Sequence, residues 1–337
     1  SFDPSSLPAE SADVIVIGSG VAGLRAAIEA SRFGRVLVLT KDRASESNTN
    51  YAQGGVAAVL SDEDSEESHV QDTLSAGAGL CDEAVVRRVV HDGAPLVSEL
   101  IDWGAEFDRE DGELLFTQEG GHSHPRIIHA HGDATGYEIE RVLLEKAREI
   151  DSIEIAEHAF VIDIITESGE TAGVLARRGG KLGAFFAPSV IIATGGACYA
   201  YRETTNPETA TGDGIAMAYR AGATLTDLEF VQFHPTTLYV AGAERALISE
   251  TVRGEGGYLR DRFGVHFMPN YHPLGDLAPR DVVSRGILRQ MTETRDTNVY
   301  LDLRHLEKEK ILKRFPKLAE LCALFDIDIA EDMIPVR

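Results

Sequence analysis

A strand–turn–helix–strand unit near the start of the chain restricts the possible folds more than any other feature. Asp13-Val14-Ile15-Val16-Ile17 is a short, continuous apolar run, as expected of a buried parallel strand. The turn Gly18-Ser19-Gly20-Val21-Ala22-Gly23 follows, then an Ala-rich helical stretch from Leu24 to Phe33, and then a second apolar run, Val36-Leu37-Val38-Leu39. This order predicts an α/β fold built on a parallel sheet.

Each glycine of this G-x-G-x-x-G turn has a separate physical role. Gly18 allows the tight turn, Gly20 lets a pyrophosphate approach the backbone, and Gly23 lets the helix pack close to the sheet. The phosphates would bind at the helix N-terminus, where free N–H groups and the helix dipole favour anions. Because strands flank the motif on both sides, it predicts a dinucleotide site. A Gly-rich turn in an unrelated α/β domain is the alternative.

The end of the second strand departs from the usual dinucleotide-binding pattern. An Asp or Glu commonly holds the ribose hydroxyls there, but this chain has Thr40-Lys41, with Asp42 just beyond. Thr40 can hydrogen-bond a ribose, and Lys41 can contact a phosphate. The ribose contact is therefore expected from a hydroxyl rather than from a carboxylate.

Length, charge and cysteine usage argue against several classes of protein. The 337 residues suffice for two domains of ordinary size. The net charge of −23 disfavours nucleic acid and anionic membrane surfaces as partners. Three widely spaced cysteines give no disulfide framework, which favours a cytoplasmic location, and no apolar run approaches the roughly 20 residues of a membrane helix. The acidic run from Asp62 to Glu67 is interpreted as a solvated surface loop.

The chain is expected to divide near residue 226, after which Pro, Gly and Arg become frequent. Residues 1 to 12 are predicted to be a flexible N-terminal lead. Periodicity predicts helices over Val85 to Trp103, Tyr137 to Ile150 and Ile215 to Ala221. Residues 153 to 166 and 173 to 177 are predicted to form paired strands, and Ser189 to Ile192 to form another buried strand.

Three runs in the last third of the chain carry the groups expected of a site for a small anion. They are Gln232-Phe233-His234-Pro235-Thr236, Ser249-Glu250-Thr251-Val252-Arg253-Gly254-Glu255-Gly256-Gly257 and Pro279-Arg280-Asp281-Val282-Val283-Ser284-Arg285. They offer a histidine, a carboxylate and arginines without an activated Ser or Cys nucleophile. Because a guanidinium matches a carboxylate with two parallel hydrogen bonds, the set suits a small carboxylate substrate.

Further runs complete a pattern along the chain. They are Asn48-Thr49-Asn50-Tyr51-Ala52-Gln53-Gly54-Gly55, Ala193-Thr194-Gly195-Gly196 and Thr211-Gly212-Asp213-Gly214-Ile215-Ala216-Met217-Ala218. With the three runs above, in this order and spacing, the chain resembles the flavoprotein family of succinate dehydrogenases, fumarate reductases and L-aspartate oxidases over about residues 12 to 337. The resemblance implies a Rossmann-like FAD-binding domain over residues 13 to 226, with a parallel sheet of the glutathione-reductase type, and an α+β capping domain over residues 227 to 337. It also implies C-terminal truncation, because the rest of the FAD-binding domain and a C-terminal helical domain would follow.

The resemblance implies FAD, bound non-covalently, as the cofactor. Membrane-bound succinate dehydrogenases bond their flavin to a His in the run before Ala-Gln-Gly-Gly, where this chain has Asn48. This difference favours the aspartate-oxidase branch of the family. The cofactor-binding residues expected from the glycine turn and from the resemblance are Gly18, Ser19, Gly20, Val21, Ala22, Gly23, Thr40, Lys41, Asn48, Thr49, Asn50, Tyr51, Ala52, Gln53, Gly54, Gly55, Val161, Ala193, Thr194, Gly195 and Asp213.

The loop Phe116-Thr117-Gln118-Glu119-Gly120-Gly121-His122-Ser123-His124 resembles the aspartate-oxidase version of this segment. Glu119 would be an anionic partner for a substrate ammonium. A succinate or fumarate site has no ammonium to pair, and an unpaired carboxylate would repel a dicarboxylate. His122, His124, His129 and His131 are interpreted as lining the flavin pocket. A zinc site is the alternative, but no cysteine lies nearby and no metal is predicted.

The resemblance assigns roles to residues of the three late runs. Arg280 is implied as the proton donor or acceptor. Because Arg normally stays protonated, a neighbouring carboxylate would have to relay the proton, and Glu250 is the candidate. Without the resemblance, Arg280 would be interpreted as a helix-start residue that pairs with Asp281. His234, Ser249 and Glu250 match substrate-orienting positions, and Gln232 is expected to line the same pocket.

The implied activity is flavin-dependent oxidation of L-aspartate to iminoaspartate, with O2 or fumarate as the electron acceptor. In the family this is the first step of de novo NAD biosynthesis, and quinolinate synthase consumes the unstable product. One alternative is a soluble fumarate reductase or succinate dehydrogenase flavoprotein. A catalytically silent fragment that binds no flavin is the other.

Overall fold

The computed structural model describes residues 7–243 and 246–337. In chain order the strands are β1 (Ala9–Ser11), β2 (Val14–Ile17), β3 (Val36–Leu39), β4 (Val56–Ala57), β5 (Arg109–Glu110), β6 (Glu113–Leu114), β7 (Phe116–Thr117), β8 (Ile127–Ile128), β9 (Ile153–Ala156), β10 (Ala159–Glu167), β11 (Glu170–Arg178), β12 (Lys181–Phe186), β13 (Ser189–Ile192), β14 (Tyr258–Arg260), β15 (Val299–Asp302) and β16 (Ile334–Val336). The α-helices are α1 (Val21–Ala30), α2 (Glu66–Ala76), α3 (Glu83–Asp102), α4 (Thr135–Arg148), α5 (Asp213–Arg220), α6 (Thr251–Gly254), α7 (Arg280–Thr294), α8 (Lys308–Arg314) and α9 (Pro316–Ala323). In this part of the chain no helix combines the length and the apolar character needed to cross a membrane.

The chain divides into two compact units, and neither is a single continuous segment. The first contains the described residues up to Ala52, Trp103–Ala105 and Gly136–Val231. The second contains Gln53–Asp102, Glu106–Thr135 and the described residues from Gln232 onward. This differs from the predicted division, in which one domain ran without interruption from residue 13 to 226.

Long-range hydrogen bonds explain why the early segment Glu106–Thr135 joins the second unit. The Thr251 hydroxyl donates to Glu119 over 2.6 Å, and Arg314 donates to the Gly132 carbonyl over 2.9 Å. These contacts span more than a hundred residues of chain, so no local pattern in the sequence could reveal them. The end of the first unit at Val231 nevertheless lies close to the predicted boundary at residue 226.

The first unit is built on a parallel sheet with the strand order β13-β2-β3-β9. Alternate residues of β2 and β3 pack on opposite faces, with Val16 and Val38 on the side of Ala27 in α1, and Ile15 and Leu37 on the other side. Because both faces are covered, these strands are apolar throughout. The β-α-β unit predicted from the sequence is present, and its register pairs β2 with both β3 and β13 end to end.

The N-terminal segment corrects the prediction of a flexible lead over residues 1 to 12. Residues Ala9–Ser11 form β1, which pairs in parallel with β12 in a second sheet of order β1-β12-β11-β10. The Ala12 N–H continues this pairing and donates to the Phe186 carbonyl over 3.0 Å. Backbone hydrogen bonds hold β1 while its side chains stay exposed, so it has no apolar pattern. Residues 1–6 lie outside the described residues.

The second unit contains the three-stranded antiparallel sheet β14-β15-β16 and the smaller sheets β4-β8-β7 and β5-β6. Its hydrophobic core joins the sheet to α6 and α7 through fully buried side chains, including Val252, Leu259, Val283 and Leu301. This packing fixes α6 and the start of α7. These two helices carry the residues of two of the late runs that the sequence indicated.

Candidate functional site

A cavity of about 480 Å³ lies in the first unit beside the turn that follows β2. This volume falls within the range of small-molecule pockets. Most of the predicted cofactor residues line it, namely Gly18, Ser19, Gly20, Val21, Ala22, Thr40, Lys41, Asn48, Thr49, Val161, Ala193, Thr194, Gly195 and Asp213. The structure therefore brings together residues that are up to 195 positions apart in the chain, since Gly18 and Asp213 share one cavity.

The other predicted cofactor residues lie elsewhere. Gly23 lies beneath the turn rather than on the cavity wall, and Asn50, Tyr51 and Ala52 belong to the first unit but are not among the lining residues. Gln53, Gly54 and Gly55 belong to the second unit. Their contact with a cofactor stays a prediction.

The turn after β2 has the backbone geometry that the glycine pattern indicated. Gly18 has a φ of +106°, a backbone conformation that residues other than glycine rarely adopt. A Cβ atom on Gly23 would lie 2.0 Å from the Gly18 carbonyl oxygen, closer than any non-bonded contact. The helix can therefore start against the turn only if residue 23 has no side chain.

The N-terminus of α1 fits a phosphate group. Gly20 precedes the helix and provides no side-chain cap, and no acidic residue lies in the first turn. The Val21 N–H donates to the Thr49 hydroxyl over 3.1 Å, so Thr49 fixes the loop beside the helix start. A helix start without a carboxylate cap leaves its positive end available to an anion. The residues present thus fit the pyrophosphate of FAD.

Replacing Gly23 by alanine is expected to weaken FAD binding about tenfold or more, because the added methyl group forces the turn away from its geometry. The measurement is fluorescence titration of the purified protein with FAD. Gly93→Ala is the matched control, since Gly93 lies in α3 and an added Cβ meets nothing within 4 Å. Equal FAD affinity in Gly23→Ala and the wild type would contradict this reading of the turn.

Two of the predicted cofactor residues pair with each other at the cavity. Lys41 Nζ lies 2.5 Å from Asp213 Oδ2 and 2.6 Å from the Thr211 hydroxyl. Thr40 is buried, and the Ser19 hydroxyl donates to its oxygen over 3.0 Å. The lysine that the sequence assigned to a phosphate is thus held by a carboxylate of the same cavity.

The second unit gathers the residues of the three late runs. Arg280 Nε donates to Glu250 Oε2 in a short ion-paired hydrogen bond, and Arg280 Nη1 donates to Gln232 Oε1 over 3.0 Å. Asp281 pairs instead with Arg285 over 2.7 Å, so the alternative that paired Arg280 with Asp281 is wrong. Because Glu250 is buried whereas Arg280 is partly exposed, the guanidinium connects a buried carboxylate to the surface of the unit.

A second arginine lies behind this pair. Arg253 is buried, its Nη1 donates to the Asp276 carbonyl, and its Nη2 lies 3.6 Å from Glu250 Oε1. Glu250 therefore lies between two guanidinium groups, one buried and one partly exposed. This arrangement places one carboxylate against two cationic side chains.

His234 is held neutral in the same cluster. Burial, together with the charges of Arg280 and Arg253, lowers the pKa of His234 to about 4. Its Nδ1 lies 3.1 Å from the carbonyl oxygen and 3.2 Å from the N–H of Thr236. A neutral imidazole still has one N–H donor, which suits hydrogen bonding to a carboxylate ligand.

Glu119 forms a separate hydrogen-bonded group with residues of the second unit. Its Oε1 accepts from the Thr251 hydroxyl over 2.6 Å and lies 3.2 Å from His129 Nε2. The Ser249 hydroxyl lies 3.0 Å from the Thr251 hydroxyl. Two predicted substrate residues, Glu119 and Ser249, are thus linked through Thr251, which the sequence reasoning did not assign.

A buried arginine anchors the loop that carries Glu119. Arg126 donates to both oxygens of Asp64, over 2.7 and 2.8 Å, and to Asp72 over 2.5 Å. Asp72 in turn accepts from the backbone N–H and the hydroxyl of Ser123, each over 2.8 Å. The acidic run is therefore not simply a solvated loop, because Asp64 in its middle is buried against Arg126.

Sequence reasoning missed several buried polar residues. Thr251 and Arg253 lie inside a run that was singled out, so their position was visible although their contacts were not. Glu140 lies in α4, where an acidic residue in an otherwise apolar register was the available signal. Burial raises the pKa of Glu140 to about 7, although the Ser47 hydroxyl donates to it over 3.1 Å.

No group of three or more His, Cys, Asp or Glu side chains placed to hold a metal ion occurs among the described residues. Of the four histidines that were interpreted as lining a flavin pocket, His129 contacts Glu119 and His122 lies 3.3 Å from Arg126. His124 lies 3.0 Å from the Ser68 hydroxyl. Their placement beside a flavin stays a prediction.

Comparison with known proteins decides the family. A family model described as an FAD binding domain matches residues 13–337. The chain belongs to this family of FAD-binding flavoproteins. Among solved structures it is similar to an E. coli quinol fumarate reductase, with a TM-score of 0.91 and 35% identity over 98% of this chain and 60% of that chain. The chain thus has the mixed α/β flavoprotein fold of the fumarate reductases, and the prediction of FAD as the cofactor is confirmed.

Relatives of this family with curated names indicate the same branch as the sequence did. The chain is 47% identical over 336 residues to an L-aspartate oxidase of Streptomyces coelicolor, and the matched region covers 96% of this chain and 58% of the relative. It is 48% identical over 340 residues to a chloroplastic L-aspartate oxidase of Oryza sativa subsp. japonica, which covers 96% of this chain and 53% of the relative. The chain therefore spans somewhat more than half the length of these relatives.

Proposed function

We propose that the chain takes part in the flavin-dependent oxidation of L-aspartate to iminoaspartate. In this proposal the first unit is a Rossmann-like FAD-binding domain and the second is a capping domain that binds the amino acid. FAD is held non-covalently, because Asn48 stands where a flavin-bonding histidine would be required. The names of the relatives support the reaction, and the anionic Glu119 in the second unit is the observation that carries the choice of substrate.

Glu119 suits a substrate that carries an ammonium group. Burial raises its pKa, but hydrogen bonds from His129 and Thr251 outweigh that effect, so the pKa of Glu119 lies below its ordinary value. The carboxylate is therefore negative at neutral pH. A buried negative group attracts the α-ammonium of aspartate and repels a dicarboxylate that lacks one.

The remaining polar groups suit the two carboxylates of the substrate. Arg280 offers a guanidinium fork, and the neutral His234 offers an N–H donor. Ser249 contributes a hydroxyl, and Gln232 is held against Arg280. Together these residues would bind and orient a short dicarboxylic acid, and such orientation accounts for a large part of enzymatic rate enhancement.

Arg280 is also the proposed proton-transfer residue. A guanidinium normally stays protonated, so it can accept a substrate proton only if it passes one of its own to a base. Glu250 Oε2 accepts a hydrogen bond from Arg280 Nε and is the base that would relay that proton. FAD, when bound, would supply the two-electron acceptor for the Cα hydride, with dioxygen or fumarate as the final electron acceptor.

The proposed product places the reaction in a pathway. Iminoaspartate is unstable in water, so a following enzyme would have to consume it quickly. We propose quinolinate synthase as that enzyme and de novo NAD biosynthesis as the pathway. Release of hydrogen peroxide from the purified, FAD-loaded protein on addition of L-aspartate tests the activity, and the absence of both peroxide and flavin bleaching would contradict it.

Fumarate reduction or succinate oxidation is the second candidate function, because the fold matches a quinol fumarate reductase closely. The two activities differ in their need for an ammonium partner. Flavin bleaching by succinate but not by L-aspartate would favour this second function. Bleaching by L-aspartate alone would favour the first. A colourless protein that retains no FAD would instead indicate a catalytically silent chain.

Replacing Glu119 by glutamine is expected to raise the KM for L-aspartate by about tenfold to a hundredfold, because the ammonium loses its charged partner. The amide has nearly the same shape, so the fold should persist. Glu113→Gln is the matched control, since Glu113 is exposed on the neighbouring strand β6. Initial rates measured against L-aspartate concentration give the result, and an unaltered KM would refute the role of Glu119.

A further inference from the structure

Of the two side chains that hydrogen-bond to Glu119 among the described residues, the Thr251 hydroxyl lies closer. Thr251 is the first residue of α6 and is buried. Its Oγ1 donates to Glu119 Oε1 over 2.6 Å, and the Ser249 Oγ lies 3.0 Å from the same Oγ1. A hydroxyl has a single proton, and the carboxylate can only accept. The Thr251 proton therefore lies on the bond to Glu119, and Ser249 donates to Thr251.

His129 supports Glu119 from the other side. It directly follows β8 and is buried. Its Nε2 lies 3.2 Å from Glu119 Oε1, and its Nδ1 lies 3.3 Å from the Thr117 hydroxyl. Both donors thus converge on the same carboxylate oxygen. In the part of the chain that the structure describes, no hydrogen bond reaches Glu119 Oε2. That oxygen stays available as an acceptor for a ligand.

We propose that Thr251 and His129 are positioning residues that hold Glu119 as an anionic acceptor and thereby set the preference for an amino dicarboxylic acid over a plain dicarboxylic acid. The inference rests on the proposed function, in which Glu119 meets the substrate ammonium. It adds to that function two residues whose effect on specificity passes through Glu119 rather than through contact with the substrate.

Charge at Glu119 depends on several neighbouring groups. Burial opposes ionisation, whereas the His129 and Thr251 hydrogen bonds favour it, and so do the charges of His129 and Arg280. The titratable and charged groups that interact with this carboxylate are His122, His129, Arg253 and Arg280. The Glu250 carboxylate lies against Gly120, the next residue of the loop. Of the two hydrogen-bond donors, only Thr251 is not a titratable group, so it provides the cleaner test.

The test measures binding of L-aspartate and of succinate to the FAD-loaded protein by isothermal titration calorimetry. Thr251→Val keeps the shape of the side chain and removes the donor, whereas Thr251→Ser keeps the donor. We expect Thr251→Val to weaken the binding of L-aspartate about tenfold and to leave the binding of succinate unchanged or tighter. Thr251→Ser should restore the preference for L-aspartate. Thr297→Val, at an exposed position of the same unit, is the control.

The pH dependence separates positioning from a purely structural role. Loss of a hydrogen-bond donor raises the pKa of Glu119. As the pH is lowered, the ratio of L-aspartate affinity to succinate affinity should therefore begin to fall at a higher pH in Thr251→Val than in the wild type. Equal weakening of both ligands in Thr251→Val, or failure of Thr251→Ser to restore the ratio, would overturn the inference. If the wild type binds neither ligand, the proposed function itself fails, and the inference falls with it.

Discussion

Replacing Arg280 by glutamine is expected to slow the oxidation of L-aspartate about a thousandfold, since loss of a proton-transfer group typically has an effect of this size. The variant removes both the charge and the hydrogen bond to Glu250. The rate of flavin bleaching after anaerobic mixing with L-aspartate reports the step directly. The change should appear as a lower kcat as well as a higher KM, because Arg280 is proposed to transfer a proton in addition to binding a carboxylate.

Arg285→Gln is the matched control for this prediction. Arg285 lies on the same helix, α7, and pairs with Asp281 in an exposed (i, i+4) ion pair. Such pairs contribute little to stability, and Arg285 has no proposed role, so the rate should not change. A large effect of Arg285→Gln, or a change confined to KM in Arg280→Gln, would contradict the proton-transfer role.

Replacing Arg126 by methionine is expected to destabilise the protein by about 3 kcal/mol, because removal of one partner from a buried ion pair leaves the other charge unpaired. Two carboxylates, Asp64 and Asp72, lose their cation at once. The loop that carries Glu119 loses its anchor through Ser123. Urea-induced unfolding followed by circular dichroism gives the free energy of unfolding.

The same measurement at lower pH checks the cause. The hydrogen bond from Arg126 lowers the pKa of Asp64 in the folded protein. The pair therefore stabilises the folded protein at pH values above the ordinary pKa of aspartate, and this stabilisation is lost as the pH falls through the lowered pKa. The difference in the free energy of unfolding between the wild type and Arg126→Met should therefore be largest at neutral pH and should decrease in acid. Arg87→Met removes an exposed arginine of α3 and should change the free energy of unfolding little at either pH. A pH-independent difference would indicate lost packing rather than lost pairing.

The first unit could be predicted well because its signals are local. The succession of β2, the glycine turn, α1 and β3 is encoded in twenty-six consecutive residues, and each step follows from apolar runs and backbone freedom. Helices α3, α4 and α5 also lie within three residues of their predicted bounds. The strand β1 could not be predicted, because its stability comes from backbone pairing with β12 and its own side chains are exposed.

The candidate site was predictable in its residue types and less so in its contacts. Arg280, Glu250, Gln232 and His234 were all expected in one site, and the structure gathers them in the second unit. The link from Glu119 to Thr251 was not expected, since it joins positions separated by 132 residues. The pairing of Lys41 with Asp213 was missed for the same reason.

By itself, the sequence determined the parallel β-α-β unit, the glycine turn and the family of flavoproteins, since these depend on residues that are adjacent or held in a fixed order. Only the tertiary structure decided which early segments join the second unit, which carboxylate each arginine pairs with, and which donors hold Glu119 ionised. The physical reason is that charge state and pairing depend on burial and on distances of a few ångströms. Those distances are set by packing between segments far apart in the chain.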